Sequence, residues 1–359
     1  MSLDQESTAV PASAAVPVSA AVPVSASRGR WREYTELSRQ VRQAGLLERR
    51  GGWYGVRIAL NLALLAGGGV GFALLGDSWW QLAVAAWLAV VFTQLAFVGH
   101  DAGHRQLFGS RRANDLAGLL HATLGVGVSF EWWVAKHNRH HSNPNHEELD
   151  PDISITALAF TADQASAKHG LVRFLARYQA WLFFPLLLLE AAHLHLASGK
   201  AILGGSGRAN TVEGLLLGAH VAGYVTALVL VLSPLQALGF VAVHQGLFGL
   251  YLGCAFAPNH KGMPTLTQAD ELDFLRRQVL TSRNVAGGRL VDWLLGGLNY
   301  QIEHHLFPTM ARPNLRRAQP LIRAFCHQHG LAYAEASLVG SYAQALRHLH
   351  TVGAPLRPR

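Results

Sequence analysis

Cysteine is nearly absent. Cys254 and Cys326 are the only two in 359 residues, which excludes a disulfide framework and a thiolate metal cage. Charge is scarce as well: Asp, Glu, Lys and Arg together make up 14% of the chain, against about 25% in soluble domains. No basic cluster is interleaved with aromatics, so the net charge of +8 points to an anionic membrane surface and not to nucleic acid. Proline in both copies of the repeat SAAVPV, at 13–18 and 19–24, forbids a regular helix there. Asp4 and Glu6 stand where a secretory leader needs positive charge. Residues 1–28 are therefore expected to be a disordered tail.

Half of the residues are hydrophobic. Stretches long enough to cross a bilayer, roughly 20 residues, lie at 54–76, 79–99, 211–232 and 235–257. The first two are joined by the short segment GDS and the last two by SP, so each pair is expected to form a tight helical hairpin. The expected architecture is an all-α integral membrane protein with four spans and a helical cap. Residues 29–53 precede it as an amphipathic segment, 54–330 form the membrane unit, and 331–359 are a C-terminal tail. Arginines flank the spans on one side only, from Arg28 to Arg57, from Arg105 to Arg139 and from Arg276 to Arg317, while the hairpin tips carry none. Basic residues accumulate on the cytoplasmic side, so both termini and everything between the hairpins are expected there. A fifth apolar stretch, 179–197, contains Pro185, Glu190, His193 and His195. If it crossed, it would reverse that sidedness, so it is expected to lie in the interface with those polar residues toward water.

Histidine is abundant, with 19 residues. Seven fall in three clusters on the expected cytosolic side. HDAGH holds His100 and His104, HNRHH holds His137, His140 and His141, and QIEHH holds His304 and His305 behind Gln301. Positions i, i+3 and i+4 share a helix face, so each cluster can aim its imidazoles at one point. Seven imidazoles exceed the four or so that one zinc accepts, and two ions are the natural count. Ligand type alone leaves zinc, copper, iron and nickel open.

These three boxes, in this order around two apolar hairpins, resemble the membrane fatty acid desaturase family, in its HDxxH/HxxHH/QxxHH branch. HNRHHSNPNHEELDPDI (137–153) and FAPNHKG (256–262) are similar to that family's bacterial acyl desaturases. The resemblance implies a non-haem di-iron centre, dioxygen as co-substrate, a fatty acyl substrate and a bacterial plasma membrane as its place. It also implies a further histidine ligand after the last span, for which His260 is the candidate. Asn259, Gln301, Asp101, Glu303, Asp150, Asp152, Asp292 and Asn299 are candidates to ligate weakly or to orient the imidazoles. Trp132 and Trp133 are candidates for a substrate tunnel wall, and Arg111, Arg112, Arg276 and Arg277 for binding a head group or an electron donor. No His-Pro dipeptide occurs, so the haem signature of fused cytochrome b5 domains is missing. Electrons are expected from a separate ferredoxin, cytochrome b5-like protein or flavin reductase. His244 and His220 are expected to pair within the membrane, with Tyr224 as a partner. His121 and His146 are expected to be structural, and His327, His329, His348 and His350 solvated.

The topology is checked by single cysteines in a background lacking Cys254 and Cys326. A cysteine replacing Asp77 reacts with an impermeant thiol reagent added outside, and one replacing Gln106 does not; the reverse pattern overturns the sidedness.

Overall fold

In the computed structural model residues 25–357 are described, so the expected tail lies outside the described residues except for its last four. These open helix α1 (Ser25–Gln43). Among the described residues four helices are long and apolar enough to cross a membrane: α2 (Gly51–Leu75), α3 (Gln81–Gly103), α10 (Gly207–Val231) and α11 (Pro234–His260). They match the expected spans, and α3 and α11 run on to carry His100 and His260 at their ends.

Between α3 and α10 come α4 (Arg111–Gly118), a π-helical turn (Leu119–Gly125), α5 (Phe130–Ser142), α6 (Ala162–Ser166), α7 (Gly170–Arg177), α8 (Gln179–Leu187) and α9 (Glu190–Gly204). After α11 follow α12 (Phe274–Leu280), α13 (Arg289–Leu294), α14 (Gln301–Leu306), α15 (Arg312–Gln328) and α16 (Leu338–Gly353). α11 packs chiefly along α3, and α2 lies on the other side of α3. α10 leans on the π-helical turn more than on α11, although only Leu232 and Ser233 separate α10 from α11 in sequence.

Three expectations need correction. The stretch 179–197 is not one helix: α8 and α9 meet at a bend of 67°. Pro185 sits inside α8, and the bend fits because Gly249 and Gly253 of α11 leave room for it. A Cβ at Gly249 would lie 2.7 Å from Ala191 N, and one at Gly253 2.6 Å from Leu187 Cδ2. His193 and Glu190 are partly exposed and 3.5 Å apart, but His195 turns inward. Its Nδ1 donates to Gly127 O (2.8 Å) and its Nε2 meets Gln245 Oε1 (3.0 Å). His220 Nδ1 likewise donates to Leu124 O (2.9 Å). Backbone carbonyls at the end of the π-helical turn have no water to turn to in an apolar setting, and these two histidines supply the missing donors. His244 pairs with the Tyr224 hydroxyl at 2.9 Å, as expected.

The chain is mostly helical, as expected, with one short sheet among the described residues. β1 (Asn284–Ala286) and β2 (Glu335–Ser337) form a two-stranded parallel ribbon. The segment after 330 is thereby built into the body: β2 pairs beside the third histidine box, and α16 packs on α8 and α11. His348 accordingly is not solvated; its Nε2 donates to Phe160 O at 3.0 Å.

The histidine-bearing helix α5 is anchored from the membrane side. Glu213 of α10 is buried, and its Oε1 accepts from Glu131 N (3.2 Å), from Phe130 N and from Thr123 Oγ1 (2.9 Å). A carboxylate at a helix N-terminus satisfies orphan amides and opposes the dipole. Glu213→Ala strands these donors and should destabilise the protein by about 1–3 kcal/mol, read as a lowered unfolding temperature in detergent. Glu213→Gln, which keeps an acceptor, should retain most of it; an Ala variant as stable as wild type would refute the anchoring role.

Candidate metal centre

Each histidine box arrives on its own element. His100 lies in the last turn of α3 and His104 caps its end. His137, His140 and His141 lie on α5, and His304 and His305 on α14. All seven, with His260, are buried. The boxes do not each serve one point. His100, His104, His137 and His304 form one group, and His140, His260 and His305 another, with ligand nitrogens in each group within 4.8 Å of one another. The second and third boxes are thus split between two pockets. His141 stands at the seam, its Nε2 3.1 Å from His137 Nε2 and its ring stacked on His305 at 4.1 Å.

The second pocket fixes its own tautomers. His140 Nδ1 lies 3.0 Å from Asp150 Oδ1, His260 Nδ1 2.9 Å from Thr281 O, and His305 Nδ1 2.9 Å from Gln278 Oε1. Each contact suits an Nδ1 that carries the proton, which in a neutral ring leaves Nε2 as the acceptor. Yet His260 Nε2 lies 3.0 Å from His305 Nε2 and 3.3 Å from His140 Nε2. Acceptor nitrogens this close repel unless a donor or a cation sits among them; the Gln301 amide N–H meets His260 Nε2 at 2.8 Å, and the remaining nitrogens suit a cation. In the first pocket His100 Nδ1 is held by Asp101 Oδ1 at 3.1 Å, and the Nε2 atoms of His100, His104 and His304 are buried without a hydrogen-bond partner. Burial, followed by repulsion among the rings, holds His104, His137, His141, His304 and His305 well below the usual imidazole value. Neutral, buried, convergent nitrogens are what divalent ions bind. The residues fit two metal ions.

Several expected supporting residues are in place. Asp150 Oδ2 also accepts from Asn145 N (2.8 Å), and Asp152 lies 3.6 Å from His140. Although burial opposes it, Lys136, His140 and Lys261 hold the Asp152 carboxyl below its ordinary value. The Gln301 amide reaches within 2.8 Å of His260 Nε2 and is itself held by Asn259 Nδ2 at 3.2 Å. Trp133 stacks on His137 at 4.4 Å. Below the pockets both tryptophans pack on an apolar cluster that includes Val126, Phe248 and Leu252.

Other expected residues do not reach the imidazoles. The Glu303 carboxylate is taken by Asn284 Nδ2 and the Tyr333 hydroxyl, each at 2.7 Å, and burial raises it to about 6. Asp292 accepts from Asn299 Nδ2 at 2.9 Å and pairs with Arg316. Both residues brace the loop before the third box. Arg276 is paired with Glu33 (2.7 Å) and Asp273 (2.8 Å), and Arg277 donates to Ser142 O (3.0 Å), so these two are bound within the fold. Arg111 and Arg112 are exposed, Arg111 lying 3.6 Å from Asp115 on the same helix. His121 donates to Ala117 O at 2.8 Å, and His146 Nδ1 accepts from Glu148 N at 3.3 Å; both are structural. Gln278, Thr281 and Asn145 were not legible as supporting residues, because nothing local marks a residue whose partner is a distant histidine. Only the positive φ of 56° at Asn145 has a sequence correlate, since asparagine tolerates that region.

Long apolar helices and two buried histidine clusters able to hold metal define the class: an integral membrane protein with a candidate metal centre. The chain belongs to the fatty acid desaturase family, whose model matches residues 77–337. It is 32% identical over 282 residues to an acyl-lipid (9-3)-desaturase of Physcomitrium patens, an alignment covering 76% of this chain and 53% of that protein. It is 28% identical to a Delta(8)-fatty-acid desaturase of Helianthus annuus, covering 91% and 74%, and 28% identical to fatty acid desaturase 3 of Bos taurus, covering 89% and 73%. The chain thus spans about half the length of the moss relative. These relatives are eukaryotic, and none of them supports the bacterial membrane expected from the motifs.

Replacing Asp150 by Ala releases the His140 tautomer and should weaken metal binding about 10–100-fold, measured by chelator competition; unchanged release would remove Asp150 from the site's support.

Proposed function

We propose that the protein is a di-iron acyl desaturase that inserts a double bond into a fatty acyl chain, using dioxygen and two electrons from a separate redox protein. The observation that carries this reading is the pair of pockets with facing, unprotonated nitrogens in a member of this family. His100, His104, His137 and His304 hold one iron, and His140, His260 and His305 the other. His141 stands between them, and the Gln301 amide closes the edge of the second pocket. When bound, the irons supply the dioxygen-derived oxidant that removes hydrogens from unactivated methylenes, a task beyond any side chain.

The protein's own part is positioning and exclusion of water. Asp101, Asp150, Gln278 and Thr281 O fix the imidazole tautomers, so that no proton must leave a ring on metal binding. Trp133, pressed on His137 and 5.4 Å from His100, joins the pockets to the apolar cluster beneath them. That cluster is the chain-binding side, and holding the chain still beside the irons is what favours an alkene over an alcohol. The site faces the cytosol together with both termini, α8 and α9 lie along the interface, and Arg111 and Arg112 are left to meet a head group or the electron donor.

Expression in a host of known lipid composition, with double bonds located by mass spectrometry, should reveal a new unsaturated acyl product that requires oxygen. His305→Ala should abolish the product and lower bound iron. A hydroxylated product in place of an alkene would overturn desaturation, and a His305→Ala protein with full turnover would remove that residue from the site.

A further inference from the structure

Two arginines that belong to no histidine box are buried behind the centre, one behind each pocket. Arg312, at the start of α15, donates through Nε to Asp101 Oδ2 at 2.7 Å and through its second terminal nitrogen to Phe97 O at 2.7 Å. The Tyr54 hydroxyl donates to the same carboxylate oxygen at 3.0 Å. Asp101 Oδ1 is thereby left to His100 Nδ1 alone. The arginine's approach depends on the glycine pair that opens the third box. Gly297 has φ +80°, and a Cβ there would lie 2.6 Å from Arg312 Cγ. Arg312 thus ties the end of α3 to the loop that delivers His304.

Arg283 is 1% exposed, and the oxygens it donates to are all neutral. Its Nε reaches Pro258 O at 3.1 Å, and its terminal nitrogens reach Lys261 O (2.9 Å), Ser341 O (3.3 Å) and Gln344 Oε1 (2.9 Å). Its backbone N donates to Asn259 O at 2.8 Å. Pro258, Asn259 and Lys261 are the last turn of α11 and the residue after it, so a guanidinium sits at the negative end of a 27-residue apolar helix and takes up its orphan carbonyls. Two residues before Arg283, Thr281 O holds His260 Nδ1. Burial lowers the guanidinium to about 10, so it keeps its charge at neutral pH. α16, through Ser341 and Gln344, holds this arginine in place from the far C-terminal side.

We propose that Arg312 and Arg283 are positioning residues with separate duties: Arg312, through Asp101, sets His100 and the four-histidine pocket, and Arg283, through the end of α11, sets His260 and the three-histidine pocket. The proposal rests on the di-iron reading. It makes the C-terminal helix, beyond the family-matched region that ends at 337, part of the support of one metal site only.

The test is iron content and Mössbauer spectra of purified protein in detergent, compared between wild type, Arg312→Met and Arg283→Met. Wild type should hold two irons per chain and each variant about one. The iron that survives in Arg312→Met should have the spectrum that is lost in Arg283→Met. Arg283→Lys should restore part of the second iron, since it returns the charge and one donor. If a methionine variant does not fold, Gln344→Ala and Tyr54→Phe loosen the same arginines from outside. Each should speed chelator release of one iron and leave the other at the wild-type rate. Two irons with wild-type release in every variant, or equal loss of both irons from a folded protein, overturns the separate duties. Wild-type protein without iron instead removes the di-iron reading beneath them.

Discussion

Everything in this structure depends on keeping eight imidazoles buried and pointed at one another. Such an arrangement is unfavourable by itself. Each buried ring nitrogen without a partner costs about 1–3 kcal/mol, and acceptor nitrogens facing at 3.0 and 3.3 Å in the second pocket add repulsion. The fold withstands this because ring nitrogens on the far side are engaged by Asp101, Asp150, Gln278 or Thr281 O, and bound cations would turn the repulsion into coordination. Ion binding at these clusters would therefore also stabilise the folded state.

That constraint explains where the chain spends its buried polar groups. Arg283, Arg312, Glu213 and Glu303 are all buried, in a protein where charge is scarce. Each bonds to, or lies on, an element that carries histidines. Glu213 holds the start of α5, Arg283 the end of α11, Arg312 the end of α3, and Glu303 ties α14 to Asn284 and Tyr333. Helix ends carry unsatisfied backbone groups, and in an apolar body those groups need partners from the protein itself. Using them as attachment points fixes the direction in which the terminal histidines aim.

The membrane half follows the same logic on a larger scale. α8 and α9 do not continue into each other, because the bend settles over the small residues Gly249 and Gly253 of α11. The π-helical turn ends in carbonyls that would be stranded without His195 and His220. Two of the histidines outside the boxes thus serve backbone geometry, which is why counting histidines alone overstates the metal site.

The chain's own order of residues determined the four long apolar helices, the excess of histidine and the three boxes, because apolar runs and i, i+3, i+4 spacing act within one element. His260 is reached only through the family resemblance, which implies one further histidine near the end of the last span. What only the tertiary structure decided is how those nitrogens are shared. His137 and His140 are neighbours on α5, yet they serve different pockets, as do the adjacent His304 and His305. Spacing sets a helix face but not what stands opposite it, and here the opposite wall comes from other elements of the chain. The same holds for Gln278, Arg283 and Arg312, and for the inward turn of His195 and the docking of β2 and α16. Each depends on a contact between distant segments, and such contacts leave no local pattern to read.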